Sequence, residues 1–205
     1  MQIDFQNDLC YTENTKRREL YRLWKKVDFL NIWHKINPKR ITPNDFVAVI
    51  EIPKGSKNKY ELDKETGLLQ LDRILHTSTH YPANYGLIPR TYADDNDPLD
   101  VLVLCSETLF PMTLVHCYPI GVIRMLDQGH RDDKIIAIPF DDPNYNAYTD
   151  IADVPPHIVE EMMHFFSVYK ELEKKSTAVD EFGDAQLAKE IIRADIDRYI
   201  ECFCK

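Results

Sequence analysis

The sequence predicts a single α+β domain: a closed or partly closed barrel of short strands, followed by helices. Three observations carry this. Branched, apolar runs recur between residues 46 and 140, separated by turn-rich links. Apolar residues fall at helical steps after residue 153. No repeat, low-complexity segment or linker separates the two regions.

From Glu13 to about Ile36, Leu20, Leu23 or Trp24, Val27, Leu30 and His34 recur at three- and four-residue steps, and Pro38 ends the pattern. This predicts an N-terminal helix within an extension of residues 1–45, packed on its own domain or on a neighbouring subunit. Phe46–Ile52 (FVAVIEI) reads as a buried strand. Lys59–Asp63 and Leu68–Leu71 flank Thr66-Gly67, a hairpin signal. Leu99–Leu104, Leu114–Met125 and Lys134–Phe140 supply further strands. The stretch Thr79–Tyr92 (THYPANYGLIPRTY) shows neither strand nor helix periodicity and is expected to be irregular. Asp153 is placed to cap a helix whose first turn holds Pro155 and Pro156, with Ile158, Val159, Met162, Met163, Phe166 and Tyr169 on its inner face. A last helix starts near Asp184, with Leu187, Ile191, Ile192, Asp195 and Tyr199 at helical steps.

Composition narrows the function. The 205 residues are 44% hydrophobic, enough for a real core, and carry a formal net charge of −9. An acidic surface argues against general nucleic-acid or membrane binding, since phosphate backbones and headgroups attract basic patches. The five cysteines, Cys10, Cys105, Cys117, Cys202 and Cys204, include no C-x-x-C pair, so reduced thiols are expected. No apolar run approaches the roughly 18 residues of a membrane span, and the N-terminus lacks the apolar stretch of a signal peptide. A cytoplasmic location is the expectation.

The chemistry concentrates at Asp94-Asp95-Asn96-Asp97-Pro98-Leu99-Asp100. Two like charges about 4 Å apart repel by about 4 kcal/mol at an effective dielectric of 20. Such a cluster must be solvated, partly protonated or filled with cations. In an extended backbone Asp95 and Asp97 would project to one side, with Asp100 joining them through the turn at Pro98. All-oxygen ligands suit a hard divalent ion such as magnesium or manganese. An EF-hand is excluded, because Asp100 stands where that loop requires glycine and Ser106 where it requires an acid. Zinc is disfavoured by the lack of nearby His or Cys, and His76 and His80 do not sit in a helical pattern. A second acidic turn, Asp127 to Lys134, joins two strands of one hairpin, so Asp127 and Asp132 are expected to face each other across its mouth. Alone, each turn reads equally well as a solvated loop.

Cationic and hydroxyl side chains that could hold phosphate lie elsewhere. Glu51, Lys59 and Glu61 fall on adjacent strands, with Lys59 and Glu61 on one face. Arg73, Lys134 and Lys170 are further candidates, and the tyrosines of residues 79–92 offer hydroxyls beside rings that exclude water.

Asp95-x-Asp97-Pro98-x-Asp100-Val101 resembles the signature of the soluble family I inorganic pyrophosphatases. Glu51-Ile52-Pro53, Lys59-Tyr60-Glu61-Leu62-Asp63, Asp72-Arg73, Tyr81-Pro82-x-Asn84-Tyr85-Gly86, Asp127…Asp132-x-Lys134 and His164-Phe165-Phe166…Tyr169-Lys170-x-Leu172-Glu173 recur in family order from about Phe46 onward. The resemblance implies a five-stranded OB-like β-barrel flanked by C-terminal helices over residues 46–205, with the N-terminal helix as an extra. It also implies hydrolysis of pyrophosphate to two phosphates with several Mg²⁺ ions, Mn²⁺ as a possible substitute. By similarity, Asp95, Asp100 and Asp132 would bind the metal pair that shares the attacking water, and Asp97 would take its proton. Asp127 with Asp132 would hold metal that arrives with substrate. Glu51 and Glu61 would act through metal-bound water. Lys59, Arg73, Tyr85, Tyr169 and Lys170 would grip the phosphates, while Lys134 and Tyr81 order the acids. A homo-oligomer is implied, a hexamer by analogy with bacterial members. Gln128, where many members carry an acid, and the tryptophan-free stretch Lys174–Gly183 depart from the family pattern. Two rival readings are a tyrosine-lined barrel that stacks single-stranded nucleic acid, and an acidic protein whose metals only hold its fold.

Overall fold

The computed structural model of the chain describes residues 31–175 and 177–204. The expected N-terminal helix therefore lies largely outside the described residues, and its last part is the single turn α1 (Ile32–Lys35). Asn31 caps it, its side chain accepting from the Trp33 amide. Pro38 opens a 3-10 turn rather than prolonging the helix.

The strands follow as β1 (Phe46–Ile52), β2 (Asn58–Leu62), β3 (Leu69–Ile74), β4 (Asn84–Leu87), β5 (Asp100–Val103), β6 (Leu114–Asp127), β7 (His130–Arg131) and β8 (Lys134–Pro139), with β9 (Thr177–Asp184) after the helix α2 (Pro156–Val168). The helix α3 (Ala185–Phe203) closes the chain. Neighbour pairing runs β1-β4-β5-β8-β6, and β6 returns to pair β1, so five strands form a closed ring. All pairs in it are antiparallel except β5 with β8. The hairpin β2–β3 forms a separate two-stranded sheet, turned by Gly67 at a φ of 72°.

Closure explains the apolar runs. β1 is buried along all seven residues because it is paired on both edges. The long β6 carries Pro119, which has no amide to donate, and its register against β8 shifts between Pro119 and Gly121. Among the described residues no helix is long and apolar enough to cross a membrane.

Three strands were not expected, the shortest being the two-residue β7 within the turn from Asp127 to Lys134. Asn84–Leu87 lies inside the stretch predicted to be irregular, yet it forms β4 and is wholly buried between β1 and β5. Its four residues are too few to show a period, and Gly86 masks the pattern. A Cβ at Gly86 would stand 1.9 Å from the Val49 carbonyl oxygen, so β1 and β4 can approach only with glycine there. Residues 177–184 form β9, which extends the sheet along β6.

The two helices seal opposite groups of ring residues. Met162, Phe165 and Phe166 of α2 pack with Ile123, Met125 and Ile136, whereas Ala188 and Ile192 of α3 pack with Phe46, Val122 and Ile135. Each fully buried large apolar side chain contributes about 1.5–3 kcal/mol. α3 starts where expected, with Asp184 as its cap, accepting from the Leu187 amide. Asp153 does not cap α2. It completes a capping box with Asp150 on the preceding 3-10 turn, and Pro155 occupies the N-cap position of α2 without a side-chain hydrogen bond.

Substituting Gly86→Ala is expected to destabilise the chain by about 3 kcal/mol or more, because the obstacle is backbone and cannot swing aside. Urea denaturation of the two proteins measures it; equal midpoints would show that β1 and β4 can separate.

Candidate active site

The site begins with a strand register. In the parallel pair β5–β8 the first residues stand side by side, Asp100 against Lys134. Lys134 is 2% exposed, donates to Asp100 Oδ2 at 2.5 Å and also bonds Asp132, two residues earlier on its own segment. Burial by itself would discharge Lys134, but Asp100 and then Asp132 outweigh it and hold the ammonium well above the ordinary lysine range. Burial likewise works against Asp132, and Lys134, followed by Lys170 and Lys59, holds it below the ordinary carboxylate value. The two directions agree on a buried ion pair of Lys134 with Asp132, and Asp100 accepts from the same ammonium.

The segment carrying Asp95 and Asp97 is a turn, so the same-side projection that an extended backbone would give does not apply. Asn96 lies at a φ of 69°, Ala93 N–H bonds the Asp97 carbonyl at 2.8 Å, and Asp97 N–H bonds Asp95 Oδ1 at 3.0 Å. Asn tolerates this left-handed conformation and the Asp95 side chain closes the turn locally. Both acids nevertheless reach the cleft. Burial, then Asp100 and Asp132, push Asp95 up to about 6. Asp97 is half exposed and is paired by Lys64, from the β2–β3 turn.

Asp127 and Asp132 do not oppose one another. Gln128 and Gly129, at φ of 49° and 88°, make a two-residue turn that pairs Asp127 with His130, and the Asp132 amide bonds the Met125 carbonyl at 3.0 Å. A tight turn uses up the residues that a wider loop would have left between the acids. Both still line the same cleft. Asp127 Oδ2 accepts from Lys170 at 2.5 Å, while its Oδ1 is buried without a partner.

Glu51 projects from β1 and accepts the Leu62 amide of β2 at 2.7 Å, tying the hairpin to the ring. Burial, then Asp100, push its carboxyl up to about 8 despite that bond. Lys59 and Glu61 share a face as expected and pair with each other. Arg73 lies within β3, opposite Lys59, and is held by Glu173 at 2.8 Å and by Asp72. It stands behind the cleft lining rather than in it, with Nη2 buried and unpartnered.

Tyr81, Tyr85 and Tyr169 form the inner wall, packed on Phe165 and Phe166. Burial raises all three hydroxyls above the ordinary tyrosine range, so they stay protonated donors. Asp100 and Asp132 reinforce the effect of burial on Tyr85, and the Lys134 ammonium lies 5.9 Å over its ring. Tyr169 and Lys170 arrive from the C-terminal end of α2.

The resulting cleft of about 280 Å³ is lined by seven carboxylates, four lysines and four tyrosines. Every sequence-predicted site residue but Arg73 lines it. Lys64, also in the lining, was not anticipated, because a lysine in a hairpin turn carries no signal beyond solubility. Among the described residues no three His, Cys, Asp or Glu side chains meet at one cation-sized point. The donor chemistry nonetheless fits hard divalent ions: the carboxylates are oxygen-only, Asp127 Oδ1 is a buried acceptor without a donor, and Glu51, pushed up to about 8, is charged at neutral pH only with further cations close by.

A closed ring whose loops and helix ends converge on such a cleft defines an enzyme class that handles small anions among acids and lysines. The family model for inorganic pyrophosphatase matches residues 48–200. The chain is 51% identical over 169 residues to soluble inorganic pyrophosphatase 2 of Chlamydomonas reinhardtii, covering 82% of this chain and 88% of that one. It is 48% identical to soluble inorganic pyrophosphatase 1 of Arabidopsis thaliana, over 82% and 80% of the two chains. The crystal structure of inorganic pyrophosphatase from Thermus thermophilus superposes with a TM-score of 0.74 at 41% identity, over 77% of this chain and 92% of that one. The chain belongs to the inorganic pyrophosphatase family.

Replacing Lys134→Met should cost about 3–5 kcal/mol near neutral pH, since it leaves buried carboxylates uncompensated. Because the folded pKa of Asp132 is depressed below 3.8, the stability it contributes is present above that value and is lost as pH falls through the depressed one. The deficit of the variant should therefore shrink in acid. A deficit independent of pH in denaturant titrations would mean that packing, not charge, is what the lysine provides.

Proposed function

We propose that this chain hydrolyses inorganic pyrophosphate to two phosphates, with Mg²⁺ as its working cation. The observation that carries the reading is the convergence of seven carboxylates and four lysines on one cleft in a member of this family. Phosphoryl transfer to water needs alignment and charge neutralisation more than covalent help.

Asp95, Asp100, Asp127 and Asp132 are the residues to hold the ions. Magnesium bound by them supplies neutralisation of the phosphates and makes a nearby water more acidic. Asp97 is assigned as general base: it is half exposed at the cleft and can take a proton from the attacking water. The water oxygen bonds one phosphorus while the bridging oxygen leaves with the other phosphate. Lys59, Lys170, Tyr169 and Tyr85, all in the lining of the cleft, are assigned to phosphate oxygens. Arg73 is assigned to the same anion, which it would reach only on turning from Glu173 into the cleft, and Glu51 and Glu61 to the outer hydration of the ions. Lys134 and Tyr81 keep the acids in register. We read the ring as the OB-like barrel of the family.

Purified chain should release phosphate from pyrophosphate in Mg²⁺ and stop when EDTA is in excess. Asp97→Asn should lower kcat by about 10²–10⁴-fold with the circular dichroism spectrum unchanged. A metal-replete preparation with no turnover would sink the activity. Near-wild-type turnover by the Asp97 variant would sink the base assignment alone.

A further inference from the structure

The turn that carries Asp95 and Asp97 is held from behind by the last helix. Arg198 of α3 donates from Nη1 to the Tyr92 carbonyl at 3.0 Å, and the same nitrogen lies 2.8 Å from Asp94 Oδ1. One turn earlier on the helix, the Asp195 carbonyl accepts the Tyr92 amide at 3.0 Å. Both backbone groups of Tyr92, the residue that leads into the turn, are thus spent on one turn of α3. A second pin sits beside it: Trp33 Nε1 donates to the Thr91 carbonyl at 2.9 Å.

Beyond Tyr92 the turn is tied to the rest of the chain on its cleft side by the half-exposed pair of Asp97 with Lys64. Its internal bonds are local, and Asn96 stands in the left-handed region. Charge works against it, because Asp94 is followed by Asp95 and Asp97 and faces the buried Asp195. Arg198 pairs with both Asp94 and Asp195 and so offsets their repulsion.

We propose that Arg198 is a positioning residue for the hydrolysis, fixing the entry of the turn so that Asp95 and Asp97 are presented to the cleft in one arrangement. Arg198 does not line the cleft, so its action runs through Tyr92 and Asp94 rather than through substrate. The inference rests on the assignment of Asp97 and Asp95 made above. A small displacement of such groups is costly, since an error of about 1 Å in the reacting geometry can lower the rate about 100-fold.

The test uses the full chain with Arg198→Met, which keeps the stem of the side chain, and Arg198→Lys, which keeps a charged donor. With pyrophosphate at saturating Mg²⁺, Arg198→Met should lower kcat about 10- to 100-fold while KM moves by less than about threefold, and Arg198→Lys should recover part of the loss. Amide hydrogen exchange should speed up at residues 92–97 and stay unchanged in the ring strands and the rest of α3. Wild-type kcat in Arg198→Met overturns the proposal. So does protection lost evenly across α3 and the ring, which would mark a merely structural contact. Should Arg198→Met fail to fold, Asp94→Asn breaks the pair from the loop side with the helix untouched. Faster exchange at 92–97 with lowered kcat then supports the proposal, and unchanged exchange overturns it. Absence of turnover in the wild-type chain would instead count against the hydrolysis reading, leaving the exchange data to judge the contact.

Discussion

A buried ammonium between two carboxylates is the constraint on which the rest of the site depends. Removing an ion from water costs several kcal/mol, and a lone buried lysine would give up its charge. Lys134 keeps its charge because Asp100 and Asp132 lie against it, and Asp132 keeps its own because Lys134 does. Neither partner is chosen by proximity in sequence alone. Asp100 meets Lys134 through the parallel register of β5 and β8, the one parallel step in the ring. Had those strands slipped by a residue, the acid and the lysine would point to opposite faces.

From that triad the cleft is assembled outward by independent elements. β1 contributes Glu51, the β2–β3 hairpin contributes Lys59, Glu61 and Lys64, and the end of α2 delivers Tyr169 and Lys170. The apolar clusters behind them make these placements reproducible, since Phe165 and Phe166 back the tyrosine wall while α3 packs on the opposite group of ring residues. The outcome is a patch of dense negative charge laced with ammonium groups. That is the electrostatic condition under which a net-acidic protein can admit an anion together with its cations.

Most strands and both long helices were legible, because a buried strand of seven residues such as Phe46–Ile52 and an amphipathic helix such as Ala185–Phe203 each declare their period. β4 was hidden by its brevity and by Gly86, whose role is a close backbone approach that no local pattern announces. β9 was hidden by its alternation of charged and apolar residues next to a glycine, which reads as readily as loop. In the cleft, Asp95, Asp97 and Asp100 stood out because so many acids in one turn demand an explanation. Lys64 did not, and the left-handed conformation at Asn96 was not legible because extended and turned backbones can both present such acids.

What the sequence by itself determined is the chemistry available and the kinds of element that carry it: an α+β chain, oxygen donors free of His and Cys, lysines and tyrosines spaced along strands and at a helix end. These follow from local periodicity and side-chain type, which are properties of neighbours in the chain. Only the tertiary structure decided which of them meet. Ring closure set Lys134 beside Asp100, a two-residue turn moved Asp132 out of line with Asp127, Arg73 was drawn back onto Glu173, and Arg198 came to rest on the turn from more than a hundred residues away. Each of those is a contact between distant segments, fixed by strand register and core packing, and so absent from any window of sequence.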